Sequence, residues 1–154
     1  KIESLVLGGH GDTMVSMLNH TTVDGKPVLD LVKEGKLKKD ILDSIVVRTK
    51  NGGAEIVKLL EKGSAFYAPA ASGVEMAESY LKNLKKQLPC AAYLDGQYGV
   101  KNLYAGVPVI IGDKGIEKVV EINLSGEEKE NFDHSINAVK ELFDAAKKID
   151  SNLS

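Results

Sequence analysis

The chain has 154 residues, of which 43% are hydrophobic and 27% charged, and its formal net charge is −2. That balance describes one ordinary globular domain, large enough to bury about 68–70% of its unfolded surface. It excludes a nucleic-acid footprint, since Arg48 is the sole arginine among 20 basic residues, and it offers no run of about 18 apolar residues to span a membrane.

In chain order, Ile2 to Leu7 reads as a first strand and Val15 to Thr22 as a second, with Gly8-Gly9-His10-Gly11-Asp12-Thr13 between them. Asp24-Gly25-Lys26-Pro27 is a hairpin turn. Lys38 to Lys50 carries Ile41, Leu42, Ile45 and Val46 at helical spacing, and Asn51-Gly52-Gly53 interrupts the pattern. Ala54 to Lys62 then continues as a separate helical segment. Pro69 suits the first turn of a third helix, where no N–H donor is required. That helix is expected to run to about Lys86, burying Val74, Ala77 and Leu81, and to end before Pro89.

Three β runs follow, Cys90 to Leu94, Leu103 to Gly112 and Lys118 to Leu124, with glycine-bearing turns between them. They predict an antiparallel meander. Ser125 with Glu128 three residues on is a capping-box signature. The last helix, Glu127 to about Lys148, spaces Phe132, Ile136, Val139, Phe143 and Ala146 by three and four. The whole predicts one α+β domain, an antiparallel sheet packed against long helices. Cys90 is the only cysteine, which precludes an internal disulfide and suits a reducing cytoplasm. Lys1 opens the chain with neither an initiator methionine nor a signal peptide, so a piece of a longer protein is expected.

Chemistry concentrates at His10. Glycine on either side permits positive φ and close approach to a ligand, and imidazole, with an ordinary pKa of about 6.5, exchanges protons near neutrality. Read from the residues alone, the histidine either transfers a proton or merely caps the glycine turn. Asp12, two positions on, is expected to bond nearby backbone N–H groups in an Asx turn. A His10/Asp12 metal pair, as in a metal-dependent hydrolase, is a weaker alternative, because His20 and His134 offer no ligand spacing and no metal set emerges. Arg48 reads as a solvated helix charge, and Gly8 to Gly11 lacks the pattern and lysine of a phosphate cradle.

Leu5 through Val15 resembles the active-site histidine segment of the NAD-dependent lactate/malate dehydrogenases. Gly53 to Lys58, Gly63 to Ser72, Leu88 to Leu94, Tyr98 to Val100 and Gly106 to Pro108 are similar to further segments of that family, in family order. The resemblance favours malate dehydrogenases built like lactate dehydrogenase. Lactate enzymes usually have glutamate where Gly9 stands, serine where Thr13 stands and threonine where Ala65 stands. Ser16 departs from close relatives, which often carry proline there.

The resemblance implies the C-terminal, substrate-binding domain of such an enzyme, with His10 as proton acceptor and donor. It implies that Ala65 leaves room for the second carboxylate of a dicarboxylic acid and that Pro69 offers a ring face to nicotinamide. It implies NAD as cofactor, held mainly by an N-terminal domain absent here, and a 2-hydroxy/2-oxo dicarboxylic acid as substrate. The histidine's aspartate partner and the substrate arginines would lie before Lys1. A homo-oligomer, a cytoplasmic location and an inactive isolated fragment follow from the same likeness. Two rivals remain: half of a lactate or other 2-hydroxy-acid dehydrogenase, and a non-catalytic binding or assembly module.

Overall fold

The computed structural model describes residues 1–153. Strands β1 (Ile2–Glu3), β2 (Val6–Leu7), β3 (Val15–Ser16), β4 (Thr22–Val23) and β5 (Lys26–Pro27) open the chain. Helices α1 (Val28–Lys33), α2 (Lys39–Leu60) and α3 (Tyr67–Leu81) follow, then strands β6 (Lys86–Asp95), β7 (Lys101–Gly112) and β8 (Gly115–Val119), and helix α4 (Gly126–Ile149). This is the expected α+β arrangement, with the antiparallel strands divided among three small sheets: β1-β4-β5, β2-β3 and β6-β7-β8.

The core grows from period-two alternation. Along β6, Cys90, Ala92 and Leu94 point inward while Ala91, Tyr93 and Asp95 face solvent. Leu103, Ala105, Val107 and Val109 of β7 extend the same face, and Phe132 and Ile136 of α4 pack on it with Leu7, Val15 and Met17. Two prolines sit in this sheet without harm. Pro89 and Pro108 face each other, and the Pro108 carbonyl is directed the other way, accepting from Val120 N–H at 2.8 Å. The missing N–H groups therefore point away from the β6–β7 ladder. Beyond the end of β8, Gly8 takes over the free edge of β7: Gly8 and Gly106 exchange both N–H···O bonds at 2.8 Å.

Several elements differ from the sequence expectation, each for a local reason. The first strand breaks at Ser4-Leu5, so that Ile2 pairs with Val23 and Val6 with Ser16 in another sheet. The second breaks at a 3₁₀ turn, Leu18–His20, where the Thr21 hydroxyl donates to the Met17 carbonyl at 2.8 Å. The Asp24-Gly25 turn forms as expected, with φ of 48° and 77° suited to a two-residue hairpin. Helix α1 was not foreseen; it ends in a Schellman motif in which Lys36 N–H returns to the Leu31 carbonyl around Gly35 at φ 70°.

Gly52 and Gly53 do not interrupt α2, which runs unbroken for 22 residues. Each glycine costs a helix only about 1 kcal/mol against alanine, and the Arg48 guanidinium reaches across Gly52 to clasp both Glu55 oxygens at 2.9–3.0 Å. Helix α3 stops at Leu81, well before Lys86, because Asn83 adopts φ 49° and lets Leu84 N–H cap the Ser79 carbonyl. Val74, Ala77 and Leu81, expected inside, are exposed. The buried residue is Ser79, whose hydroxyl donates to the Ile111 carbonyl at 2.7 Å and accepts from Lys86 N–H at 3.2 Å. Strand β8 begins earlier than foreseen, at Gly115, and the chain leaves the sheet after Val119. There the Tyr98 hydroxyl draws it away by donating to the Val120 carbonyl and accepting from Ile122 N–H.

Candidate active site

The site is built where β2 runs out against β7. Gly8 (φ 92°) turns the chain off the sheet; a Cβ there would stand 2.3 Å from the Ser135 hydroxyl, and one on Gly106 would stand 2.7 Å from the Gly8 carbonyl. Only glycine permits both the turn and the contact. Gly11 (φ 104°) differs in having open space around it, so its requirement is purely conformational. His10, held between these turns, is exposed.

The loop is closed by Met14 N–H donating to the Gly11 carbonyl at 3.1 Å. Asp12 is exposed, and among the described residues its carboxylate makes no bond to the loop, so the expected Asx turn is not formed. From behind, the Ser135 hydroxyl of α4 accepts the Gly9 N–H at 2.8 Å and donates to the Thr13 hydroxyl at 3.2 Å.

His10 is the shared wall of two clefts. One, of about 160 Å³, takes in Met14, Pro89 and Cys90; the other, of about 390 Å³, takes in Thr13, Tyr104, Ala138 and Leu142. Gly8, Gly9, Ala91 and Gly106 border both, so much of the surface beside the imidazole is backbone and small side chains. Burial pushes the Cys90 thiol above its ordinary pKa, with Glu75 adding to the effect. Cys90 is accordingly an apolar wall, not a second nucleophile.

Ala65 is half-buried in the segment joining α2 to α3, and Pro69 is exposed in the first turn of α3. Neither borders the two His10 clefts. Arg48 is exposed and committed to Glu55. His20 donates to the Asn123 carbonyl at 3.1 Å, and among the described residues no three His, Cys, Asp or Glu gather as metal ligands. A larger cleft of about 710 Å³ lies between α4 and the start of β7, lined by Lys101, Lys140 and the Lys129–Asp133 pair. Its lining includes no histidine or cysteine.

Sequence reasoning missed Ser135, and it named Gly106 and Val139 only as a family-like segment and a helix-face position. The signal for Ser135 was a polar residue on the apolar face of α4, flanked by Phe132, Ile136 and Val139.

A family model described as the lactate/malate dehydrogenase alpha/beta C-terminal domain matches residues 1–150. The chain belongs to the lactate/malate dehydrogenase family. It is 64% identical over its whole length to a malate dehydrogenase of Pelagibacter ubique, of which it covers 48%. It is 59% identical over 99% of its length to that of Roseobacter denitrificans, again covering 48%. Among solved structures, Cryptosporidium parvum malate dehydrogenase is 47% identical with a TM-score of 0.93, the match covering 96% of this chain and 47% of that one. Eimeria maxima lactate dehydrogenase, solved with NADH and oxamate, is 42% identical with a TM-score of 0.93, over 97% of this chain and 47% of that one. The chain spans about half the length of the curated relatives it matches. The histidine loop joins β2 to β3, and its first residue, Gly8, pairs with Gly106 of β7.

Proposed function

We propose that this chain is the substrate-binding, catalytic half of an NAD-dependent malate dehydrogenase, in which His10 moves the proton. The observation that carries the reading is an exposed imidazole on a loop fixed from behind and bordered by small residues. Oxidising malate to oxaloacetate removes a hydride from carbon 2 and a proton from its hydroxyl. Neutral His10 accepts that proton, and the imidazolium returns it when oxaloacetate is reduced. NAD, when bound, supplies the hydride acceptor.

The clefts beside His10, of about 160 and 390 Å³, have room for a small acid and not for a whole dinucleotide. Most of the NAD site, the aspartate partner of His10 and the substrate arginines belong, in this reading, to an N-terminal domain of a longer protein. Pro69, exposed on α3, offers its ring face to nicotinamide, and Ala65 leaves space for the second carboxylate. Malate is favoured over lactate because Gly9, Thr13 and Ala65 depart together from the residues usual in lactate enzymes. The relatives at 64% and 59% identity carry the malate name. A homo-oligomer in the cytoplasm completes the proposal, the lone thiol of Cys90 suiting a reducing compartment.

His10→Asn in the full-length enzyme tests it. Asparagine keeps the turn and its hydrogen bonding but exchanges no proton near pH 7. Turnover of malate should fall about 10²–10⁴-fold, or roughly 3–5 kcal/mol in barrier, with NAD affinity and melting temperature nearly unchanged. A folded variant retaining most of its turnover would end the assignment.

A further inference from the structure

We propose that Ser135 is the positioning residue for His10, an inference that rests on the dehydrogenase reading above. One hydroxyl grips the loop on both sides of the imidazole: Oγ accepts from Gly9 N–H, the residue before His10, and donates to Thr13, three residues after it. A serine hydroxyl has one donor and two acceptor sites, so both bonds are made by a single atom without competition. Ser135 is fully buried, and its helical neighbours Phe132 and Ile136 are locked in the core. The anchor is therefore set within the packed core of the domain.

The glycines serve this contact. The missing side chain of Gly8 leaves the space the Ser135 hydroxyl occupies, and a Cβ on Gly9 would stand 2.8 Å from Val139 Cγ2 of the same helix. The loop backbone thus lies directly on α4, and the hydroxyl sets its height above the helix. His10 itself makes no comparable anchoring bond among the described residues, so the position of its ring follows the backbone at Gly9 and Thr13. Displacing a catalytic group by about 1 Å costs on the order of 100-fold in rate.

The test uses the full-length enzyme. Ser135→Ala removes both bonds with little change of volume, and should lower kcat about 10- to 100-fold while leaving the KM for NAD unchanged. The kcat–pH profile should change from that of wild type, and hydrogen exchange in residues 8–14 should quicken. Ser135→Cys, similar in shape with a weaker acceptor, should fall between alanine and wild type. Wild-type kcat and pH profile in folded Ser135→Ala, even with a lower melting temperature, would reduce Ser135 to packing and overturn the proposal. If the alanine variant does not fold, the cysteine variant decides: a kcat below wild type in folded protein supports the positioning role and wild-type kcat removes it. His10→Asn, run alongside, separates the two levels. An enzyme crippled by His10→Asn but indifferent to Ser135→Ala loses only this inference, and one indifferent to His10→Asn loses the proton-transfer role of His10 on which it rests.

Discussion

Gly8 and Gly11 share a loop and a positive φ, yet they answer to different constraints, and alanine substitutions separate them. At Gly8 the added Cβ meets the buried Ser135 hydroxyl at 2.3 Å in addition to the φ of 92°. Strain and overpacking together should cost roughly 2–4 kcal/mol. At Gly11 no atom lies within 4 Å, so only the left-handed backbone resists, at about 1–2 kcal/mol. Urea unfolding of the two variants should rank Gly8→Ala well below Gly11→Ala, and equal midpoints would show that the loop does not rest on α4. His10 stood out in the sequence as a candidate because glycines flank a lone titratable group after an apolar run. Its support did not, because Ser135 lies 126 positions from Gly9 and only the fold brings them together. Ala65 and Pro69 became candidates through family likeness alone, and they stand on segments that do not border the His10 clefts.

Among the elements, α4 was read almost to its ends because its N-terminal signal is chemical as well as periodic. Ser125 and Glu128 form both bonds of the capping box, Glu128 N–H to Ser125 Oγ at 3.3 Å and Ser125 N–H to the Glu128 carboxylate at 2.9 Å. Glu128 also accepts from Asn19 N–H at 3.5 Å, tying the helix start to the segment after β3. Burial pushes the Glu128 carboxyl up, but its bonds to Ser125 and Asn19 outweigh that and hold it below the ordinary carboxylate range. The unfolded chain therefore binds more protons as pH drops. The Glu128 contribution is complete above its unfolded pKa of about 4.3 and is lost as pH falls through its lower folded value. Glu128→Gln should cost about 0.5–2 kcal/mol at pH 7 and should flatten the loss of stability below about pH 4.3. A melting-temperature series with identical acid slopes in both proteins would refute this account of the cap. Where no such marker existed, the boundaries slipped. Two glycines inside α2 looked like a break but only weaken a helix, and the end of α3 depended on Asn83 taking a left-handed conformation that its sequence neighbours do not announce.

At the scale of the whole molecule, α2 is the element whose existence its own packing explains least. Of its 22 residues only Leu42 is buried, whereas a helix in a globular domain draws most of its stability from a packed apolar face. Ile45, Ile56 and Leu59 on α2, with Tyr67, Val74 and Leu81 on α3, are 40–83% exposed. The predicted burial on α3 failed because, among the described residues, no element covers that periodic apolar face. Exposed apolar surface on this scale promotes association. The domain prepared alone should therefore sediment as a concentration-dependent mixture of monomer and larger species. Ile45→Glu with Leu59→Glu should shift that mixture toward monomer, because charge on an apolar face must be desolvated to associate. The same preparation should not turn over malate with NAD, since in the proposed reading His10 supplies only a proton acceptor and the arginine grip and dinucleotide site lie in another domain. A strictly monomeric mass at high concentration would mean that these helices are solvated as they stand. Turnover by the chain alone would mean that the reaction needs no second domain.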